Sequence, residues 1–468
     1  MSAPPTLGSS AAAGGQGRLL QLLGVGFGLA GAVGGAIGAG ILRAPGLVAE
    51  ALASPVLILA AWLAGGLYAL IGALAVAELG AALPRAGGWT VYARRCFGDA
   101  AGFSVGGLDW LGHSVGLAWE VTTLGQFGAA LLPAHPAGLP LPPAALGSAI
   151  ALATLAGFAL LQLQGLRAGS RSQELLSLVK AVAFLVLVVA CFLLGGPASR
   201  AMAGAGAAPL APPADPLALG LALVVALQAV IVTYDGWHSP VYFAEEFSDP
   251  GRDLPRSLLA GVGAVIAIYL LVNGALLWVL PVPLLAASPL PVADAAARIL
   301  GPLSGRLMTA LGLVSLLGLI NATIMSAPRI LYGLARDGLL GSGRAARSLQ
   351  EVNGGGTPVT AVLATAAAAA LLVLAGSFGL LLAVAAFLYV LLYLIGFTCL
   401  FVLRRREPEL ERPFRAWGHP VSTAVVWLGS LAFLLTDLAG NRGPSLTALG
   451  LAAAIPLLHR LLQPRPPD

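Results

Sequence analysis

The stretch Gly31–Pro45 reads GAVGGAIGAGILRAP and lies inside the first apolar segment of the chain, residues 19–52. A helix crosses a bilayer with about 20 apolar residues, so this segment is too long for one simple crossing. Gly38 and Gly40 remove side-chain cover from the backbone near the middle of the segment. We therefore expect a helix that is broken at residues 37–41.

A second apolar segment is interrupted in a similar way. Val232–Tyr242 reads VTYDGWHSPVY, and Gly236 and Pro240 interrupt the helical hydrogen bonds there, beside Asp235. Unwound backbone inside a membrane is tolerated only where protein or a watery cavity surrounds it. Its freed N–H groups can hold a carboxylate, and its freed carbonyl groups can hold a cation. Two such breaks predict a ligand site between them.

The composition places the chain in a membrane. Hydrophobic residues make up 58% of its 468 residues and charged residues only 10%, whereas soluble domains carry roughly 25% charged residues. The mean hydropathy is +0.91. These values exclude a soluble globular enzyme and a disordered chain, and the three cysteines lack the spacing of a disulfide scaffold. The sequence predicts an all-α polytopic membrane protein.

Twelve segments are long and apolar enough to cross a bilayer. An even number of spans places both termini on one side of the membrane. Most loop arginines fall on that side, which the positive-inside rule identifies as cytoplasmic, so we expect a plasma-membrane protein with cytoplasmic termini. The predicted spans are residues 19–52, 55–82, 100–132, 144–165, 173–196, 216–244, 256–281, 304–333, 358–379, 380–403, 419–440 and 443–462.

The two interrupted spans are the first and the sixth. This spacing predicts that spans one to five and six to ten form an inverted repeat, with a substrate site between the two breaks. The expected organisation is a cytoplasmic tail at 1–18, a first repeat at 19–196, a second repeat at 216–403, two further spans at 419–462 and a cytoplasmic tail at 463–468.

Several segments of the chain match a known family in the family's order. They are Ile37–Ile41 (IGAGI), Ala77–Gly88, Tyr234–Trp237, Glu245–Glu246, Asp249–Arg256, Asn321–Arg329 and Ala335–Leu339. These segments resemble the amino acid–polyamine–organocation superfamily, most closely its L-amino-acid transporter branch and the prokaryotic relatives. Ala39 replaces the serine that is usual in the first signature. The resemblance implies the LeuT-type fold, with two inverted five-helix repeats plus two further helices, and alternating access to a central amino-acid site.

The resemblance also implies roles for individual residues. Backbone N–H groups of the first break would bind the substrate carboxylate, and carbonyl groups near Val232, Thr233 and Asp235 would accept hydrogen bonds from its α-ammonium group. Val232 stands where this branch often has an aromatic gate, so Tyr234 or Trp237 is a candidate for that role. The candidate substrate-binding residues are Ile37, Gly38, Ala39, Gly40, Ile41, Val232, Thr233, Tyr234, Asp235, Gly236, Trp237 and Asn321.

Lys180 is the only lysine among 25 basic residues, and it lies within span five. A charge at mid-bilayer costs about 2.5–3.5 kcal/mol on insertion scales, so such residues usually face the interior and have a function. A lysine at the matching family position resembles a built-in substitute for a bound sodium ion. Its ammonium group would tie span five to the first and eighth spans, and it could release its proton during the cycle. The alternative is a lysine that reaches the membrane interface.

Further charged residues are candidates for a proton relay or a gate. Asp109, His113 and Glu120 share one face of span three. That arrangement suits either a proton relay, since histidine titrates near neutral pH, or a polar stripe that faces water. Glu245 and Arg329 are candidates for the cytoplasmic gate, or alternatively belong to a solvated loop.

The sequence predicts a sodium-independent secondary transporter of amino acids that works by proton symport or exchange. A polyamine or organic-cation permease of the same fold is the alternative, and a transporter-like nutrient receptor is a remote one. An intramembrane enzyme is not expected, because the five histidines are scattered and no HExxH or GxSxG motif occurs. The expected partners are an amino acid and the lipid bilayer; no cofactor, metal, nucleic acid or ATP is predicted.

Overall fold

The chain is built from α-helices. The computed structural model describes residues 18–38, 40–131, 142–196, 210–301, 304–375 and 378–462, and no β-strand occurs within these ranges. The predicted all-α fold is therefore confirmed. Ala39 and the two predicted tails, apart from Arg18, lie outside the described residues.

We label the α-helices of the described ranges in chain order, and a 3-10 helix, Ser239–Glu246, follows α8. The helices are α1 (Val25–Ala36), α2 (Gly40–Leu52), α3 (Pro55–Ala82), α4 (Trp89–Phe97), α5 (Asp99–Leu131), α6 (Pro143–Leu163), α7 (Leu166–Leu194), α8 (Pro216–Tyr234), α9 (Pro250–Val279), α10 (Val282–Ala287), α11 (Pro291–Leu300), α12 (Ser304–Arg336), α13 (Arg344–Gln350), α14 (Val359–Ala375), α15 (Phe378–Arg406), α16 (Val421–Gly440) and α17 (Arg442–Leu462).

The long helices identify a multi-pass membrane protein. Among the described residues, eight helices are long and apolar enough to cross a membrane, and the bent pair of α1 and α2 raises the number to nine. Helices α5, α14 and α17 lie at three further predicted spans without meeting the same criterion of length and hydropathy. The count of twelve spans, like the inverted repeat, stays a prediction.

Both interruptions that the sequence predicts are present. Helices α1 and α2 are bent by 50° relative to each other across the first break. Helix α8 ends at Tyr234, and the chain resumes as the 3-10 helix only at Ser239. Gly236 lies between them with a φ of +94°, a left-handed conformation that glycine adopts without steric cost.

The two breaks touch through their backbones. A Cβ atom added to Gly35 would lie 2.5 Å from the carbonyl oxygen of Gly236, and one added to Gly236 would lie 2.4 Å from that of Gly35. No side chain fits at this contact. Around it, α1 packs against α7, α9 and α12, while α2 packs against α8. Helix α5 lies against α12 and α15 and completes the surroundings of the breaks.

Candidate functional site

A cavity of about 600 Å³ lies beside the two breaks. Helices α1, α2 and α8 form one wall, and α5, α12 and α15 form the facing wall. The glycines of the first break leave the backbone uncovered there, as the sequence predicts. The sequence-predicted residues that line the cavity are Gly38, Gly40, His113, Glu120, Val232, Thr233, Asp235 and Gly236.

Four other predicted substrate-binding residues lie behind this lining. Ile37 and Ile41 are fully buried. Tyr234 packs among neighbouring aromatic rings, and Trp237 stacks on Tyr393 with ring centroids 5.5 Å apart. An aromatic gate formed by Tyr234 or Trp237 would require the ring to leave its present packing.

Asn321 joins helices and does not line the cavity. Its side-chain oxygen accepts a hydrogen bond from Gln162 at 2.8 Å, and its amide nitrogen donates to Gln173 at 2.8 Å. Ser177, one turn from Gln173, donates to the carbonyl oxygen of Ala30 at 2.8 Å. This network connects α12 with α6 and α7, and α7 with α1. It therefore supports the helix that leads into the first break.

The side chain of Lys180, on α7, reaches the C-terminal end of α1. Its Nζ atom donates to the carbonyl oxygens of Gly34 and Ile37, both at 2.9 Å, and to that of Ser315 at 3.2 Å. The side chain is fully buried. An ammonium group has three donors, so these bonds use all of them. The lysine thus ties α7 to the first break and to α12, which is the placement that the family resemblance implies.

Tyr269 connects the two breaks, and the sequence analysis did not single it out. Its hydroxyl oxygen lies 2.8 Å from the carbonyl oxygen of Ala36 and 2.9 Å from that of Thr233. These carbonyls belong to the last residues of α1 and α8, where helical partners are missing. A hydroxyl has one proton, so it donates to one of the two or shares the proton between them.

Asp235 is linked through one tyrosine to a histidine, and neither residue was predicted as part of the site. The hydroxyl of Tyr393, on α15, donates a hydrogen bond to its carboxylate. The same hydroxyl lies 2.8 Å from Nδ1 of His238, which also lines the cavity. Asp235 and His238 lie within two residues of Gly236, so the sequence alone places them near the break. Nothing in the sequence indicated that a tyrosine of α15 reaches them.

Of the three titratable residues predicted on α5, Asp109 and His113 form a pair and Glu120 lies apart from them. Nδ1 of His113 lies 3.1 Å from Oδ1 of Asp109, which also accepts a hydrogen bond from Tyr242 at 2.9 Å. Glu120 lies further along α5 and accepts a hydrogen bond from Thr323 at 2.9 Å. Within the described ranges, no set of three or more histidine, cysteine or acidic side chains is arranged to bind a metal ion.

Ion pairs close one end of the bundle. Arg329 donates to both carboxylate oxygens of Glu246, at 2.6 and 2.9 Å, and both side chains are buried. Arg336 pairs with Glu245. The two predicted gate residues, Glu245 and Arg329, are thus close together but have different partners. We call this the arginine-rich end, because it also carries Arg85, Arg94, Arg95, Arg404 and Arg412.

The cavity opens toward the opposite end. Helix α5 begins at Asp99, which pairs with Arg94 at the arginine-rich end, and Phe127 near its other terminus lines the cavity. Asp437 and Asn441, at the end of α16, line the cavity as well. The ion-paired residues that close the arginine-rich end do not belong to the lining. Among the described residues, the cavity lining therefore extends toward the end of the bundle opposite these ion pairs.

A membrane bundle with two broken helices beside a central cavity has the architecture of a transporter. The chain matches the model of the amino acid permease family over residues 19–448. It belongs to this family, and the resemblance to the amino acid–polyamine–organocation superfamily is confirmed.

Individual relatives are amino acid transporters. The chain is 25% identical over 425 residues to the serine/threonine exchanger SteT of Bacillus subtilis, covering 90% of this chain and 92% of that protein. It is 28% identical over 410 residues to the Asc-type amino acid transporter 1 of Mus musculus, covering 86% of this chain and 73% of that protein. It is 26% identical over 427 residues to the large neutral amino acids transporter small subunit 2 of Homo sapiens, with 90% and 76% covered.

Proposed function

We propose that this protein is a sodium-independent secondary transporter that moves amino acids across the cell membrane by alternating access. Membership of the amino acid permease family supports the substrate class. The observation that carries the rest is the position of the Lys180 ammonium group, which is bonded to carbonyl oxygens at the first break and on α12. Transport then consists of differential binding of substrate by outward-open and inward-open states.

The substrate lies between the two breaks in this proposal. The N–H groups of Gly40 and Ile41 lie in the first turn of α2, at the positive end of a helix dipole, and bind the carboxylate of the amino acid. Carbonyl groups of Val232 and Thr233, together with Asp235, receive its α-ammonium group. The short side chains around the first break leave room for the substrate backbone to approach.

Lys180 takes the place of a bound cation. Carbonyl oxygens left free at a broken helix are the usual ligands of a coupling sodium ion in transporters of this architecture. Here the ammonium group binds two carbonyl oxygens at the first break and one on α12, so no sodium ion is needed to hold α7, α1 and α12 together. Release of a proton by Lys180 and its later rebinding would link transport to the proton gradient.

The arginine-rich end is cytoplasmic in this proposal, as the positive-inside rule favours. An even number of spans then places both termini in the cytoplasm. The cavity opens at the other end, which makes this the outward-open state. The Glu246–Arg329 and Glu245–Arg336 pairs form the closed cytoplasmic gate and must separate before substrate leaves inward.

Two coupling modes are compatible with the site. The Asp109–His113 pair beside Tyr242 is a buried proton-binding group next to the cavity, and with Glu120 it supports proton symport. The similarity to a serine/threonine exchanger of Bacillus subtilis supports obligatory exchange of one amino acid for another. In that mode the empty transporter does not return.

A polyamine or organic-cation permease is the second candidate. Glu120 lines the cavity together with Asp235, so two carboxylates are present for a substrate with two amino groups. The N–H groups in the first turn of α2 favour a substrate that also carries a carboxylate. For this reason the amino acid remains the first choice.

Uptake into liposomes that contain the purified protein tests the proposal. Radiolabelled amino acids and putrescine are supplied in sodium-free buffer, with and without an inward proton gradient and with and without internal amino acids. Uptake driven by the gradient and abolished by an ionophore identifies a proton symporter, and uptake that requires internal amino acids identifies an exchanger. Uptake of putrescine without any amino acid would replace the first candidate by the second, and dependence on sodium would contradict the role of Lys180.

A further inference from the structure

Glu120 is a buried carboxylate on the wall of the cavity. Its residue is 4% exposed, and it lines the cavity together with Thr323 and Ser326 of α12. Oε1 accepts a hydrogen bond from the Thr323 hydroxyl at 2.9 Å. Oε2 is buried and has no hydrogen-bond partner among the described residues. A buried carboxylate is normally paired with a cation or fully hydrogen-bonded. The Oε2 atom of Glu120 lacks such a partner in the described part of the chain.

Several donors of the chain near Glu120 are bonded elsewhere. Lys180 donates its three hydrogen bonds to carbonyl oxygens. The hydroxyl protons of Thr123 and Ser326 go to the carbonyl oxygens of Trp119 and Ala322, each one turn earlier in its own helix. The missing partner of Oε2 is therefore best supplied by a ligand in the cavity.

The carboxylate lies within reach of a substrate held at the first break. A Cβ atom added to Gly38 would lie 3.2 Å from Cδ2 of Leu319, so α12 faces the break at that residue. Thr323 follows Leu319 by one helical turn, a rise of about 6 Å, and it holds the Glu120 carboxylate. A short aliphatic chain that starts at the break and runs along α12 ends at Glu120.

We propose that Glu120 and Thr323 form a side-chain subsite that selects amino acids whose side chain ends in an amino group. This assignment rests on the proposed function, because it takes the α-carboxylate and α-ammonium groups to be bound at the two breaks. An ammonium group supplies the hydrogen bond that Oε2 lacks and a positive charge opposite the carboxylate. A hydroxyl group would complete the hydrogen bond but leave the negative charge unpaired.

Ornithine and norleucine provide a matched test, because their side chains have the same number of non-hydrogen atoms and differ in the terminal amino group. The ratio of their initial uptake rates is measured in liposomes that contain the wild-type protein or Glu120→Gln. We expect the wild type to prefer ornithine and the ratio to fall by about tenfold or more in Glu120→Gln, the factor expected for one charge-assisted hydrogen bond. Both substrates are measured on the same vesicles, so a lower amount of folded protein does not alter the ratio.

Two further variants separate recognition from folding. Thr323→Val keeps the carboxylate but removes the hydroxyl that orients it, and it should raise the KM for ornithine more than that for norleucine. Glu174→Gln makes the same chemical change at an exposed position of α7 and should keep the wild-type ratio. An equal loss of both substrates in Glu120→Gln would overturn the subsite. Norleucine uptake without ornithine uptake in the wild type would overturn it too, yet leave the proposed function standing, whereas uptake of no amino acid would refute the proposed function itself.

Discussion

The Nζ atom of Lys180 lies 2.9 Å from the carbonyl oxygen of Ile37, the residue that follows the last turn of α1. The last carbonyl groups of a helix have no helical partners, and they form the negative end of its dipole. A buried ammonium group satisfies both requirements at once. The lysine and the broken helix therefore stabilise each other, and each would be costly inside a membrane without the other.

Replacement of Lys180 by methionine tests this mutual dependence. Lys180→Met removes the ammonium donor that three buried carbonyl oxygens share, and each group that is left unsatisfied costs about 1–3 kcal/mol. We expect amino-acid uptake to be lost both with and without sodium, together with a lower melting temperature in detergent. Leu178→Ala, at a 61% exposed position of the same helix, is the control and should keep uptake. Wild-type uptake by Lys180→Met would contradict the proposed role.

The contact between the breaks makes Gly236 irreplaceable. An alanine at this position would adopt a left-handed conformation, which costs about 1–2 kcal/mol, and its Cβ atom would lie 2.4 Å from the Gly35 carbonyl oxygen. We expect Gly236→Ala to insert into the membrane but to bind no amino acid, as measured by ligand-induced thermal stabilisation. Gly220→Ala, within α8, is the control, since its added Cβ atom meets nothing within 4 Å. Equal stabilisation of both variants by substrate would show that the breaks do not form the binding site.

The buried ion pair at the closed end should contribute far more stability than an exposed one. Glu246→Gln leaves Arg329 buried without its counter-ion, and loss of one partner of a buried pair costs about 3–5 kcal/mol. Glu407→Gln removes the partner of Arg95, whose side chain is 54% exposed, and such pairs contribute only about 0–1 kcal/mol. Thermal unfolding of the two variants in the same detergent compares them directly. Similar melting temperatures of the two variants would mean that the Glu246–Arg329 pair does not stabilise the arginine-rich end more than an exposed pair does.

The Tyr269 hydroxyl should matter for binding more than for folding. Tyr269→Phe leaves the carbonyl groups of Ala36 and Thr233 without their shared donor, so the two breaks lose a connection beside the substrate. We expect the KM for amino acids to rise by about tenfold, which corresponds to about 1.4 kcal/mol. Tyr68→Phe removes a comparable hydrogen bond, to Ser430 at 2.7 Å, and should leave the KM unchanged. A KM change of equal size in both variants would contradict a specific role for Tyr269.

Local features of the sequence were sufficient to predict the all-α fold, the two breaks and a Lys180 ammonium group that ties α7 to α1 and α12. Apolar segments of sufficient length become helices in a membrane because a helix satisfies the hydrogen bonds of its own backbone N–H and C=O groups without water. Gly236 and Pro240 interrupt a helix through their own geometry, whatever surrounds them. A lone intramembrane lysine requires buried acceptors, and carbonyl groups at a break provide them.

Contacts between distant helices could not be predicted in this way. Glu245 and Glu246 are adjacent in sequence, yet only Glu246 faces Arg329, because the 3-10 helix directs successive side chains differently and the sequence does not reveal its rotation. Asn321 matched the family pattern but binds other helices, and Tyr269 lay unnoticed in an apolar span. The short helix α4, Trp89–Phe97, is too polar on average for the hydropathy criterion that found the spans.

The most direct measurement is the initial rate of amino-acid uptake into liposomes that contain only the purified protein, in buffer free of sodium. Wild-type and Gly236→Ala proteins are compared at equal amounts of inserted protein, with a proton gradient or internal amino acids as the driving force. We expect uptake by the wild type without sodium and none by Gly236→Ala. Absence of wild-type uptake until sodium is added, or equal rates for the two proteins, would contradict it.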